Sequence, residues 1–258
     1  MFDVMMPSYT KSLFDGYVLI RFMRCRQHQK DFLDGKIFFN TSDFFARCES
    51  SGVGDHNEGA EVIAQPTNEK LVTGEIKMIG GKAFIAFVDY SNEPEKYPGL
   101  QVYSYSPGIN RRRKILCLYS MFINIGNNEI APFSLNMPSE FGEYGVIITD
   151  RVKFFDRIGR AMQKEVGLGD GMMGFVRYKP QAEMQGIVDW QPFYKRKKFS
   201  YQNEFRFTFV NKNEDACILN LDRDLSDIAV PIQTGRFVSE VNIKNGVLHF
   251  PIYEEPNK

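Results

Sequence analysis

The stretch FYKRKKFSYQNEFRF, residues 193–207, sets four basic side chains, Lys195, Arg196, Lys197 and Lys198, just before a run that carries one acid, Glu204. From Phe199 onward the residues alternate. Phe199, Tyr201, Asn203, Phe205 and Phe207 fall on one face, with Ser200, Gln202, Glu204, Arg206 and Thr208 on the other, the period-2 pattern of a half-buried strand. Gln202 and Glu204 then share a face. Either that face is solvated, or a carboxylate and an amide are aimed together into a cleft. Two more polar groups interrupt apolar strands, Arg21 in YVLIRFM and Ser120 in ILCLYSMF. A guanidinium in such a strand must snorkel, pair with an acid or bind an anion, because burying it unpaired is very costly. Satisfied core polar groups are the plain alternative for all three strands.

The acids Asp55, Glu58 and Glu204, with a lysine or arginine, suit a second chemistry, a divalent-metal nuclease centre, if the fold brings them together. Cys25 with His28, and Cys48 with His56, come nearest to a zinc set, but their spacings fit no common finger or ribbon. The four cysteines, Cys25, Cys48, Cys117 and Cys217, contain no C-x-x-C and read as reduced thiols of a cytoplasmic protein. The basic runs RRRK (111–114) and KRKK (195–198) are either solvated faces or patches that contact phosphates. Tyr194, Phe199 and Tyr201 interleave with the second run and are placed to stack on bases.

The elements that must position these residues are read from periodicity. YVLIRFM (17–23) is a strand, RQHQKDFLDG (26–35) a short helix ended by Gly35, and KIFFNTS (36–42) a second strand. DFFARCESSGVGDHNEGAE reads as a polar, Gly-rich loop. Strand-like runs follow at 71–79 and 83–88, then a Pro/Tyr/Gly loop, then a basic start running into a strand in RRRKILCLYSMFIN. YGVIITD is a strand. The best helix is 150–166, capped by Asp150, with Val152, Phe155, Ile158, Met162 and Val166 at spacings of three and four. GLGDGMMG lacks the G-x-G-x-x-G spacing and follows a helix, so it is a loop and no nucleotide fingerprint. FVRYKP is a strand, and closing strands are expected near 216–221 and 236–250.

A chain of 258 residues, with no internal repeat, low-complexity tract or linker-like break, reads as one α+β domain of mixed and antiparallel sheet with few helices. Its 32 basic and 32 acidic residues cancel, so no global field draws it to nucleic acid or membrane, and such binding needs a local patch. No run approaches the roughly 18 apolar residues of a membrane span, and the start, MFDVMMPSYTKSLF, has no basic segment followed by an apolar one.

LIRFMRCRQHQKDFLDGKIFFNTSDFF followed by GDHNEG resembles the opening of a broad bacterial family of uncharacterised proteins. Members begin with a strand carrying Arg-aromatic, a short helix, a second strand and an acidic D-P-F-E-G-like patch. They carry a mid-chain strand with Cys, aromatic and Ser, and close on a basic F-x-K stretch and an E-x-E-x-R strand. This chain departs at GDHNEGAE and in having Gln202 where Glu is frequent. The order of parts also resembles the ADP-ribosyltransferase fold. That resemblance implies NAD as substrate, with Arg21 on its phosphates and ribose. Ser120 and Tyr119 would shape the nicotinamide pocket, Glu204 would be the catalytic carboxylate, and Gln202 would sit beside the acceptor. It further implies a bacterial toxin or anti-phage effector that modifies a nucleic acid or a protein and is restrained by an antitoxin protein. Lys195, Arg196, Lys197 and Lys198 are then the expected contacts for an RNA or DNA acceptor. A metal-dependent nuclease and a non-catalytic binding or sensor domain are the alternatives. If Arg21, Ser120 and Glu204 line one cleft the transferase gains, whereas an Arg21–Glu204 pair in a closed core favours the binding domain.

Overall fold

The apolar runs of the chain pair mainly as antiparallel strands in the computed structural model of the protein, which describes residues 16–48, 54–55, 58–64, 72–79, 82–89, 102–105, 107–133, 137–166, 171–180, 186–187 and 191–252. The first third holds β1 (Gly16–Met23), α1 (Arg26–Leu33), β2 (Lys36–Thr41), α2 (Ser42–Arg47), β3 (Ala60–Ala64), β4 (Val72–Ile79) and β5 (Lys82–Asp89). Next come β6 (Val102–Tyr105), α3 (Pro107–Arg112), β7 (Arg113–Asn124), β8 (Glu129–Ile130), α4 (Met137–Phe141), β9 (Tyr144–Ile148) and α5 (Arg151–Val166). The last part contains β10 (Met172–Phe175), β11 (Arg177–Lys179), β12 (Gly186–Ile187), β13 (Tyr194–Arg196), β14 (Glu204–Val210) and β15 (Cys217–Asn220). It ends with β16 (Ala229–Gln233), α6 (Thr234–Glu240), β17 (Asn242–Lys244) and β18 (Val247–His249).

The main sheet runs β10-β14-β7-β1-β9-β16, with β8 and β2 also on β7 and β15 on β2, and all its pairings are antiparallel. Smaller groups are β12-β3-β6, the hairpins β4–β5 and β17–β18, and a parallel ribbon of β11 with β13. The architecture is therefore α+β, mostly antiparallel, with few helices. No described helix is long and apolar enough to cross a membrane.

α5 lies against one face of the sheet, where Phe154, Ile158 and Met162 join Leu19, Phe122, Phe175, Phe205 and Phe207 in the larger core. Phe154 meets Phe207 edge-on at 5.9 Å between ring centroids, and Phe155 stacks on Phe205 at 5.4 Å, geometries that aromatic quadrupoles favour. Ile20, Phe22, Tyr119, Met121, Ile147, Ile232 and Phe237 form a second cluster.

Four local readings are corrected. Residues 42–47 form α2, where residue 42 was expected to end a strand and 43–47 to open a loop, because the Thr41 hydroxyl accepts the Phe44 N–H at 3.1 Å and so caps the helix start. Residues 197–202 form a 3-10 helix instead of the first half of a strand, since Asn203 adopts a left-handed φ of 39° that breaks the extended run. Residues 234–240 form α6, with Thr234 and Phe237 turned inward at a spacing of three. On α5 the inward position is Phe154, while Val152 is 79% exposed; Asp150 does cap the helix, accepting the Lys153 N–H at 3.0 Å.

Candidate functional site

The site is organised by β7. One edge of this strand pairs with β14 from Arg113 to Tyr119. Its other edge is shared, with β2 opposite Lys114 and Ile115 and β1 opposite Tyr119 to Ile123. Between these two partners the ladder is open, and there the Arg21 guanidinium donates from Nη1 to the Cys117 carbonyl at 2.6 Å. An arginine inside an apolar strand is thereby explained: it satisfies a backbone acceptor left without a strand partner. Burial pulls its pKa below the ordinary arginine value, with Cys117 and Glu204 among the groups opposing the shift. Arg21 lies near Glu204 and forms no ion pair with it among the contacts of the described residues.

β14 alternates strictly. Phe205 and Phe207 face the α5 core, so Glu204, Arg206 and Thr208 must face the other way, alongside Cys117 and Tyr119 of β7 by register. That second face is buried as well, and charges fill it. The Lys195 ammonium donates to Glu204 Oε1 at 2.5 Å and to Gln202 Oε1 at 2.6 Å. Arg206 Nε donates to Glu204 Oε2 at 2.7 Å. The Arg206 guanidinium also grips both oxygens of Glu58, at 2.7 and 2.9 Å, and the Pro192 carbonyl at 2.6 Å. Beside it, Asp55 accepts the Arg196 backbone N–H at 2.9 Å and its Nε at 2.7 Å. Burial alone would raise the pKa of Glu204; the charges of Arg206 and Lys195, with their hydrogen bonds, outweigh it and hold the carboxyl at about 2. Glu58 is pushed up by burial, Arg206 opposing. Gly59, at a φ of +75°, leaves room for Asn110, whose side chain would lie 2.6 Å from any added Cβ and which donates to the Gly59 carbonyl at 2.8 Å.

Over this face lies a cleft of about 630 Å³. Arg21, Cys117, Tyr119 and Ile115 contribute to its lining from β1 and β7, with Gln202 and Glu204 beside them. Phe38, Phe44, Phe45 and Ile218 add apolar surface, and Phe38 and Ile218 are register partners left 48% and 54% exposed. Arg24, His28 and Lys36 lie where it meets solvent, and Glu140 and Phe141 of α4 also line it. The Tyr201 hydroxyl donates to Glu140 at 2.7 Å, tying the 3-10 helix to α4. Tyr119 is 4% exposed, and its hydroxyl makes no hydrogen bond of good geometry among the described residues. Burial pushes its pKa up to about 12, the nearby Asn203 side chain opposing.

The structure brings Arg21, Tyr119, Gln202 and Glu204 together and separates Ser120 from them. Ser120 pairs with Leu19 and points to the opposite face, fully buried, so it cannot reach the cleft. Gln202 and Glu204 do meet, through Lys195 and not by sharing a strand face. The expected acceptor patch is largely dismantled. Lys195 is 1% exposed and belongs to the Glu204 cluster, Arg196 is held by Asp55, and only Lys197 and Lys198 of the run face solvent. The interleaved aromatics are also engaged. Lys195, Arg196 and Lys198 all lie within 5.4 Å of the buried Phe199 ring, Lys179 sits 4.4 Å over Tyr194, and Tyr201 holds Glu140. In RRRK, Arg111 and Arg112 end α3, and the buried Lys114 donates to the Arg111 and Asn213 carbonyls.

The acids of the nuclease reading converge, but around Arg206, Lys195 and Arg196 instead of an open metal seat. Among the described residues no group of three or more His, Cys, Asp or Glu is placed to hold a metal; His56 lies outside them. The four cysteines are free thiols, and burial pushes Cys117 up to about 12, far from a reactive thiolate. Sequence reasoning gave Arg206 no part in the site, although it is the arginine of the closing E-x-E-x-R pattern and was the signal available. No family model, curated protein or solved structure matches the chain.

Proposed function

We propose that the cleft binds NAD and that the protein is an ADP-ribosyltransferase. The observation that carries this reading is the convergence of Arg21, Tyr119, Gln202 and Glu204 on one cleft of about 630 Å³, a size typical of small-molecule sites. NAD joins an anionic pyrophosphate to a cationic nicotinamide ring. The cleft offers Arg21, Arg24 and Lys36 to the first and Glu204, Glu140 and Gln202 to the second. When the bond from ribose C1′ to the nicotinamide nitrogen breaks, nicotinamide leaves with the electron pair and C1′ becomes positive. A preorganised Glu204 carboxylate lowers that barrier. The acceptor nucleophile then bonds to C1′ and gives up its proton. With Ser120 on the other face, Tyr119 is the β7 residue that shapes the nicotinamide end. An RNA or DNA acceptor would meet Lys197 and Lys198. The reading keeps the role of a bacterial toxin or anti-phage effector under the control of an antitoxin protein.

The test is incubation with NAD labelled in its adenylate half, following nicotinamide release and transfer of label to RNA, DNA or protein. Glu204→Gln is expected to lower release by roughly 10²- to 10³-fold, with its melting curve recorded in parallel. Release at the parent rate from the folded variant overturns the transferase reading. One observation favours a second reading, a binding domain without turnover. Both Glu204 oxygens are already taken by Lys195 and Arg206, and Arg21 by the Cys117 carbonyl. Calorimetric NAD binding without nicotinamide release selects it.

A further inference from the structure

We infer that the parallel ribbon β11–β13 is the positioning element of this cleft and that Lys195 is its positioning residue, setting the Glu204 carboxylate and the Gln202 amide together. The ribbon and the residue before it hold Glu204 at three atoms. The Val176 N–H donates to the Glu204 carbonyl at 2.9 Å. The Glu204 N–H donates to the Tyr178 hydroxyl at 2.9 Å. The Lys195 ammonium takes Oε1 at 2.5 Å, and Tyr178 and Lys195 are register partners in the ribbon. Backbone donor and side chain of one residue are therefore fixed from the ribbon, and its backbone acceptor from the residue that leads into it.

The chemistry of lysine settles the second half of the inference. An ammonium has donors and no acceptor, so the Gln202 atom at 2.6 Å must be its oxygen, and the amide nitrogen turns to the Tyr201 hydroxyl side, 3.4 Å away. The amide cannot flip without placing its NH₂ against the ammonium. Arg206 fixes the other Glu204 oxygen and is itself held by Glu58 and the Pro192 carbonyl. Lys195 at 1% exposure has no route to a solvent-borne acceptor, and its place in a basic run is incidental.

The groups facing Glu204 are Lys195 from β13, Arg206 from its own strand, and Glu58 from the segment before β3. Cys117 lies on β7, Arg21 on β1, and Tyr201 and Tyr178 on the adjoining turn and ribbon. Lys195 donates to both the carboxylate and the Gln202 amide oxygen. This role rests on the cleft being the site, as in the transferase reading, but it is tested apart from turnover.

The experiment follows the Glu204 carboxyl carbon by NMR titration in ¹³C-glutamate-labelled wild type and Lys195→Met, with nicotinamide release from NAD measured on both. Lys195→Met is expected to raise the Glu204 midpoint by about one to three units and to lower kcat roughly 10²-fold, with KM changed far less. A midpoint that does not move in the folded variant overturns the inference, as does a moved midpoint with kcat unchanged. A moved midpoint with no release from wild type upholds the positioning role and sinks the transferase reading alone. If Lys195→Met does not fold, ¹⁵N-lysine-labelled wild type decides. A slowly exchanging Lys195 ammonium signal at neutral pH upholds the clamp, and its absence overturns it.

Discussion

On one face of β14, Phe205, Phe207 and Phe209 pack at 0%, 2% and 0% exposure; on the other, Glu204, Arg206 and Thr208 are buried at 6%, 1% and 0%. Equal burial has been reached by different physics. The aromatic face gains from removing apolar surface from water, a non-directional effect that tolerates small shifts. The charged face gains little net, because desolvating each ion offsets most of the attraction between them. Its contacts are directional, however, and each needs its partner in place. The aromatic face holds the strand in the protein, and the charged face says where individual atoms must be.

Two substitutions of similar severity separate these roles. Phe207→Ala and Arg206→Met should each lower unfolding stability by about 3–5 kcal/mol, the first by leaving a cavity and the second by removing the guanidinium that grips both oxygens of the buried Glu58. Adding Glu58→Leu to Arg206→Met should recover much of the loss, since the carboxylate that was gripped goes with it. Denaturant unfolding of the set checks this. No recovery in the double variant would mean that the charged face stabilises the fold in its own right.

The pH dependence gives the next largest effect. Glu204 sits at about 2 in the folded protein against about 4.3 unfolded, so its ion pairs contribute fully above the unfolded value. That contribution should drain away as pH falls from there toward 2. Glu58, whose pKa is raised by burial, has the opposite sign and favours the fold as it takes up a proton. Thermal melting against pH should therefore show an acid limb that shrinks in Glu204→Gln; an identical limb in both proteins contradicts the assignment.

Arg21→Ala should cost about 1–3 kcal/mol by leaving the Cys117 carbonyl unsatisfied, and should weaken NAD binding measured by calorimetry. Loss of stability with unchanged NAD affinity would make Arg21 a brace for the split sheet and nothing more. The smallest effect belongs to Lys197→Ala with Lys198→Ala, which should change stability by no more than about 0.5 kcal/mol. If RNA binds there, each lost contact should flatten the slope of log affinity against log salt by roughly 0.7.

What was legible in the sequence depended on how local its cause was. β1, α1, β2, β9 and α5 carry their periodicity and end signals within themselves, and they stand where that pattern put them. The 3-10 helix at 197–202 alternates in sequence like a strand, and the one local sign of the left-handed turn that cuts it off is that residue 203 is an asparagine. Arg21, Ser120 and Glu204 drew attention by one shared signal, a polar group in an apolar run. Two of them line the cleft and Ser120 does not. For Glu204 and Ser120 the side is decided by pairing register with distant strands, opposite Tyr119 and Leu19 respectively, whereas Arg21 reaches the cleft where the ladder beside Cys117 is open. Lys195 looked like surface because three more cations follow it; its burial is set by Glu204 and Gln202.

The spine β7 also puts a clock on the site. Its partner β14 arrives roughly ninety residues later in the chain, and the Glu58–Arg206 grip joins residues 148 apart. Loops of that span close slowly compared with local hairpins. As the chain emerges from the ribosome, β1, α1, β2 and β7 can associate early, but the wall bearing Gln202 and Glu204 does not yet exist. A fragment ending before β14 has Arg21, Arg24, Lys36 and Glu140 of the cleft but lacks Glu204 and Arg206, so the buried charge cluster can be completed only once the last quarter of the chain has been made.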